Sequence, residues 1–520
     1  MIAPMSGVIR LFIGTAGQDI VFASPRGWSY LSRIAPAALH LHGTMVNRAF
    51  AMISLRKYRA HLRNRRLWLR AFVIGLTLVL IGHVVIQTVG DLDTYPGIDL
   101  RAKVVGARLL LRGMNPYYDF RHELHPDHLR ILNADTYSPA LLLVYTPLCE
   151  LSWKVQRVAY FLVDWVAMLL CYVLLARVFP KRAPCTALWT AFVLLFIAGF
   201  GFRFHLERGQ YYVELALLTA AASVCLFRKS EAWFHTFPLA LLVLLRPTYT
   251  ICIVCVFVLR RVRYAAYAAC LCVILFAATL PLVGLGDWRS YVASIRGNEH
   301  EALDAAYVPA PRPAGAMGNE VVEGIDFSKS MAGPGYLADR TLIGLARSSV
   351  SPELARLVHR IAPSERSFEQ LNTVCLLLMV GFDLTVMVGL SRGPAAGLIP
   401  IAFVFLAPLN LELFAPQRYG YCDVTLFAPL LLILAAALER PKCGGWALYG
   451  VILAAGFALP WLAFHFDTHV PLVSFLQYVG ILAVLNAVCI MEAWGRRFIG
   501  KRATSDTEEI RSCPTAIEHS

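Results

Sequence analysis

Charge is scarce in this chain and unevenly placed. Of its 520 residues only 16% are Asp, Glu, Lys or Arg, while 58% are hydrophobic, and the mean hydropathy is +0.59. A water-soluble domain carries nearer a quarter charged residues and does not string apolar ones into runs of about 20. A soluble globular class is therefore excluded. Metal-type cysteine spacing is also missing. The 13 cysteines fall mostly inside apolar runs, and the stretch 286–370 has none. That argues against a disulfide framework and a structural metal, leaving small apolar core residues. There is no short-period repeat. The N-terminus makes a poor signal peptide, because Arg10, Gln18 and Asp19 interrupt what would be its apolar centre.

What is present is a succession of apolar runs: 67–89, 157–179, 186–203, 211–227, 264–285, 371–390, 396–414, 421–438, 445–464 and 470–491. The net charge of +14 resides in short basic clusters beside these runs, such as "RNRRLWLR" and "GRRFIGKR". That is the pattern of cytoplasmic anchors, and no basic face interleaved with exposed aromatics suggests nucleic acid. The expected fold is an all-α polytopic membrane bundle of about ten full spans, with both termini cytoplasmic. Two segments depart from simple crossings. "YSPALLLVYTPLCEL" at 137–151 is short and bracketed by prolines, which predicts a re-entrant or interfacial piece. "FPLALLVLLRPTYTICIVCVFVL" at 237–259 is broken at Arg246-Pro247, where proline removes a donor and disfavours helix in the preceding residue. Reading it as two half-helices that return to one side keeps every later basic connection cytoplasmic.

This divides the chain into a basic, weakly structured extension (1–66), a transmembrane domain (67–492) and a disordered tail (493–520). Outer loops span 90–138 and 286–370, the second with short amphipathic helices. The outer face also carries "HLERGQ" at 205–210, expected as a tight loop, and "APQRYGY" at 415–421. Polar side chains of mixed character collect there, so any chemistry is expected on that side.

The order of an acid opening the first loop (Asp99), "RGMNPYY" (112–118), "YSPALLLVYTPL" (137–148), "GQYYVELALL" (209–218), "LLRPTY" (244–249) and "APQRYGYCDVTLFAPLLLIL" (415–434) resembles glycosyltransferase family 87. These are mannosyltransferases of the GT-C membrane fold that use a polyprenyl-phosphate mannose donor. Tyr211 and Tyr212 stand where the family usually has Asn after Gly-Gln. The resemblance implies an inverting transfer of a hexose, mannose first, from a polyprenyl phosphate to a glycan or glycolipid acceptor outside the cytoplasmic membrane. Its partners are then the lipid-linked sugar, the acceptor and membrane lipids. No metal or other cofactor is expected, because the lipid phosphate is itself the leaving group. Arabinofuranose or glucose donors are alternatives within the class, and a secondary transporter outside it.

Such a reaction needs a base for the acceptor hydroxyl and cations for the departing phosphate. Asp99 is the candidate base, with Asp93 as the alternative. Asp99 also suits an N-cap of the helix that "GIDLRAKVVGARLLL" predicts. Arg101 and Lys103 are candidates for the donor phosphate, or for solvent and headgroup contact. Arg208, Gln210, Arg246 and Arg418 are further phosphate or sugar contacts. Tyr117, Tyr118 and Tyr419 suit sugar stacking or the membrane interface. His122, His125 and His128 read as loop histidines rather than ligands, since Pro126 breaks their register. Asp164 and Asp383, inside apolar runs, each require a partner, and Arg246 is an option for Asp164.

Overall fold

The computed structural model describes residues 67–68, 71–90, 97–113, 115–117, 137–228, 232–303, 321–322, 325–326, 365–392, 397–414, 420–439, 444–458 and 478–495. The chain separates into Met1–Phe72 and Val73–Ser520, and all that follows concerns the second unit. Among its described residues the regular structure is helical, apart from a two-residue antiparallel pair, Val321–Val322 with Ile325–Asp326.

The helices in chain order are α1 (Ala71–Gly90), α2 (Ile98–Leu111), α3 (Pro139–Val144), α4 (Trp153–Ala176), α5 (Cys185–Phe192, continued by a π-turn to Ile197) and α6 (Phe200–Arg208). Then come α7 (Tyr212–Phe227), α8 (Phe237–Leu245), α9 (Thr250–Val258), α10 (Val262–Leu303) and α11 (Glu365–Ser391). The last four are α12 (Leu398–Glu412), α13 (Phe427–Glu439), α14 (Gly445–Leu453) and α15 (Tyr478–Gly495).

Among the described residues six helices are long and apolar enough to cross a membrane, or seven if the bent pair α5–α6 is one span. The sequence led us to expect ten. The shortfall lies in α7 and α12, of 16 and 15 residues, in α14, and in the bend. Helices α7 and α12 are walled by protein over most of their length. A helix surrounded by other helices has its polar backbone protected by them and need not match the full bilayer thickness. The peripheral helix α4 behaves oppositely. Val158, Leu162, Val166, Leu170 and Val173 form an exposed apolar stripe, while Tyr160, Asp164, Ala167, Cys171 and Leu175 face inward. Lipid rather than water is the solvent for such a face.

The proline-broken segment folds as the sequence predicts. Pro247 forces Arg246 into an extended conformation (φ −141°, ψ 98°), which ends α8. This leaves the carbonyls of Leu244 and Leu245 without helical donors, and the Ser138 hydroxyl donates to both (3.4 and 3.1 Å). The same Ser138 caps α3 by accepting from the Leu141 amide, so "YSP" is one device serving two helix ends. Helix α9 then runs back toward the start of α8. Tyr264, just beyond it, donates to the His235 carbonyl at 2.9 Å. A continuous straight helix would separate those residues by about 43 Å. The hairpin predicts that single cysteines at the exposed positions Trp233 and Arg260, in a chain freed of native cysteines, react with an impermeant maleimide from the same membrane side. Labelling from opposite sides would refute it.

Candidate active site

Six chain segments end at one pole of the bundle: the start of α2, the start of α3, the end of α6, the start of α7, the α8–α9 break and the end of α12. Their polar side chains form a continuous network. Asp99 sits in the first turn of α2, and the residue flanking the helix is Gly97, in the left-handed region at φ 54°. Asp99 is therefore not the N-cap. Its carboxylate is turned instead toward Arg208, which donates through Nε to Oδ2 at 2.5 Å and through Nη2 to Oδ1 at 3.3 Å. The Tyr137 hydroxyl donates to Oδ1 at 3.4 Å. Both charged side chains are 14% exposed, enough to meet a ligand.

A second ion pair lies beside the first. Arg246 donates to Glu412 at 2.6 Å through Nε, and through Nη1 to the hydroxyls of Tyr211 (2.8 Å) and Tyr212 (3.1 Å). Glu412 is fully buried, whereas Arg246 keeps 17% exposure. Tyr137 and Tyr211 meet edge to face at 5.8 Å, joining the two pairs. Tyr211 and Tyr212 thus have a clear role as partners of Arg246.

The turn between α6 and α7 is shorter than expected. Helix α6 runs through Arg208 and α7 starts at Tyr212, leaving Gly209, Gln210 and Tyr211 between them, and His205 and Glu207 are buried rather than looped out. Gly209 is obligatory here. Its φ is +69°, and a Cβ would lie 2.6 Å from that of Leu100.

Arg101 and Lys103 are 2% and 0% exposed, which corrects the expectation of solvent or headgroup contact. The helix carrying them is embedded, because the bundle closes over both of its faces. Arg101 lies over the Trp153 ring at 4.8 Å. Lys103 donates to the Gly209 carbonyl at 2.5 Å and is ringed by four tyrosines. Burial lowers its ammonium to about 8, opposed by the charges of Glu214, Asp99 and Asp164. Tyr117 is buried, donates to the Tyr137 carbonyl at 2.7 Å and packs on Tyr291, so its ring is not offered to a sugar. Gln210 is 3% exposed, and its carbonyl accepts from Tyr160. Asp93, Tyr118, the three loop histidines, Gln417, Arg418 and Tyr419 lie outside the described residues.

Asp164 pairs with His205 at 3.3 Å, both fully buried, not with Arg246. Asp383 accepts from Asn410 at 2.6 Å, which is itself bonded to Asn486. Asp164, His205 and Glu214 bring three donor atoms within 4.8 Å of one another and could hold a metal ion. Lys103 acts electrostatically on both carboxylates, and Arg157 on Asp164.

Residues 136–319 match the model of glycosyltransferase family 87. This stretch is a family 87 region. Glycosyltransferase activity follows for the chain, and the bundle makes it a multi-pass membrane enzyme. No curated protein and no solved structure gives a significant match. The family 87 region contains Tyr137, Arg208, Gln210, Tyr211 and Arg246 but neither Asp99 nor Glu412, which the fold brings to it from either side.

Sequence reasoning missed Tyr137 and Glu412. The signal for Glu412 was a lone acid closing an otherwise uncharged run, but nothing local linked it to Arg246. Removing one partner of a buried ion pair costs about 3–5 kcal/mol, whereas replacing both with apolar residues is often tolerated. Glu412→Ala should therefore lower thermal stability in detergent markedly, and Arg246→Met with Glu412→Leu should recover much of the loss. Additive losses in that double-mutant cycle would mean that the pair is not coupled.

Proposed function

We propose that this enzyme is an inverting hexosyltransferase that moves mannose from a polyprenyl phosphate to a glycan or glycolipid acceptor. The reaction would take place at the outer face of the cytoplasmic membrane, with both termini inside. The observation that carries the reading is the meeting of Asp99 with Arg208 at the polar end of the bundle. A base and a cation for phosphate are the two groups this transfer requires, and they reach one another from elements more than 100 positions apart.

In this mechanism the donor phosphate draws the Arg208 guanidinium, for which it is a bidentate partner like the carboxylate. The freed Asp99 accepts the proton of the acceptor hydroxyl. The acceptor oxygen forms its bond to the anomeric carbon as the bond from that carbon to the phosphate oxygen breaks, and the electron pair leaves with the polyprenyl phosphate. One displacement inverts the centre, giving an α-linked product from a β-linked donor. Arg208, with Arg246 beside it, neutralises the charge that grows on the phosphate. Protonated Asp99 then returns its proton to solvent. No step calls for a metal.

Supporting this over a transporter, the Asp99–Arg208 and Arg246–Glu412 pairs gather at one pole. The test is sugar transfer by purified protein in liposomes supplied with polyprenyl-phosphate mannose and mixed glycolipid acceptors. Asp99→Asn should lose about 10²–10⁴-fold in turnover. Equal activity in both proteins would remove Asp99 as base and bring forward Asp93. Solute flux without transfer would support a transporter.

A further inference from the structure

Lys103 is four residues beyond Asp99 on α2, so the two side chains project from one helix face. They grip neighbouring residues: Asp99 holds the side chain of Arg208, and Lys103 holds the carbonyl of Gly209. The third residue of the turn, Gln210, is held through its carbonyl by Tyr160. The ammonium has no open side. The rings of Tyr145, Tyr137, Tyr160 and Tyr211 stand 5.0, 5.3, 5.4 and 5.6 Å from it, and its side chain is 0% exposed. The hydroxyls of those rings lead onward. Tyr137 reaches Asp99, Tyr160 reaches Glu214, and Tyr211 reaches Arg246.

We infer that Lys103 is a positioning residue for the transfer. It locks the Gly209 carbonyl and the tyrosines around it, sets Arg208 and Arg246 in place, and never touches the donor phosphate. The inference rests on the reading of Asp99 and Arg208 as the reacting pair. Its physical basis is that a cation inside an aromatic box is attracted to every wall, and a charge-assisted bond to a carbonyl fixes direction as well as distance. A substrate phosphate would have to open that box to reach the ammonium.

The consequence is a particular kinetic signature. Lys103→Met and Lys103→Gln should lower kcat by about 10- to 100-fold, as small misplacements of reacting groups do. The donor KM should stay within about threefold. A rise in donor KM of about tenfold or more at near-normal kcat would mean direct contact, and two unchanged constants would mean no role; either overturns the inference. Wild-type turnover should also fall as pH passes about 8, and Lys103→Met should lack that limb. The groups facing Lys103 are Asp99, Tyr137, Tyr145, Tyr160, Asp164, His205, Tyr211 and Glu214. Stability should not fall with turnover. The folded pKa lies below the unfolded value of about 10.4, so the unfolded chain binds more protons between the two and stability rises with pH there. The same limb in both proteins would overturn the assignment.

A final arm needs neither folded variants nor transfer. Native wild type is treated with an amine-acylating reagent, with and without polyprenyl-phosphate mannose, and read by peptide mass spectrometry. Lys103 should stay unmodified in both cases while the exposed Lys154 reacts. Labelling of Lys103 in the empty protein, with shielding by the donor, would overturn the inference. If wild type transfers nothing, the functional reading fails separately, and the labelling still reports whether Lys103 is closed off.

Discussion

The structure depends on one constraint: an ionic group inside an apolar bundle must find its opposite charge or a full set of dipoles. Asp99 finds Arg208, Glu412 finds Arg246 and Asp383 finds an asparagine, while Asp164 lies 3.3 Å from His205. Each partner comes from a different helix. Satisfying the acids therefore decides which helix ends meet, and the pole where most of them meet becomes the polar face of the enzyme. The apolar surface of α12 and α13 fills the centre without specifying much, because Leu, Ile, Val and Phe on all sides pack in many ways.

Aromatic residues perform the linking. Tyr137, Tyr211 and Tyr212 connect two ion pairs that would otherwise be separate salt bridges. Their rings tolerate the apolar surroundings while their hydroxyls supply directed hydrogen bonds. This explains how a family 87 region can carry tyrosines after Gly-Gln and still organise the arginine of the broken segment. The hydroxyl provides the hydrogen-bond acceptor at that point.

Breaks in regular helix supply the remaining control. Gly97 and Gly209 adopt left-handed backbone on either side of the Asp99–Arg208 pair. The guanidinium of Arg157 packs where a Cβ of Gly97 would lie and donates to the Leu206 carbonyl at 3.3 Å. Pro247 performs the same service at Arg246, turning what would be a span into a hairpin that delivers a cation to the pole. At this pole, these few positions decide where side chains can converge.

What the sequence determined by itself was local. Apolar runs, basic anchors and the proline break gave the membrane class and the hairpin, and the motifs gave the likeness to family 87, because each run or motif depends on neighbours within about 20 positions. Asp99, Arg208 and Arg246 stood out as charges in unusual places. The partner of each charge was left to the tertiary structure. The sequence offered Asp164 as a partner for Arg246, and the packing of α12 against α9 selected Glu412 instead. Lys103 read as a surface cation because helical periodicity cannot tell a face bathed in water from one enclosed by four tyrosines drawn from three other segments. Burial is a property of what packs around a residue, and that was decided by the fold.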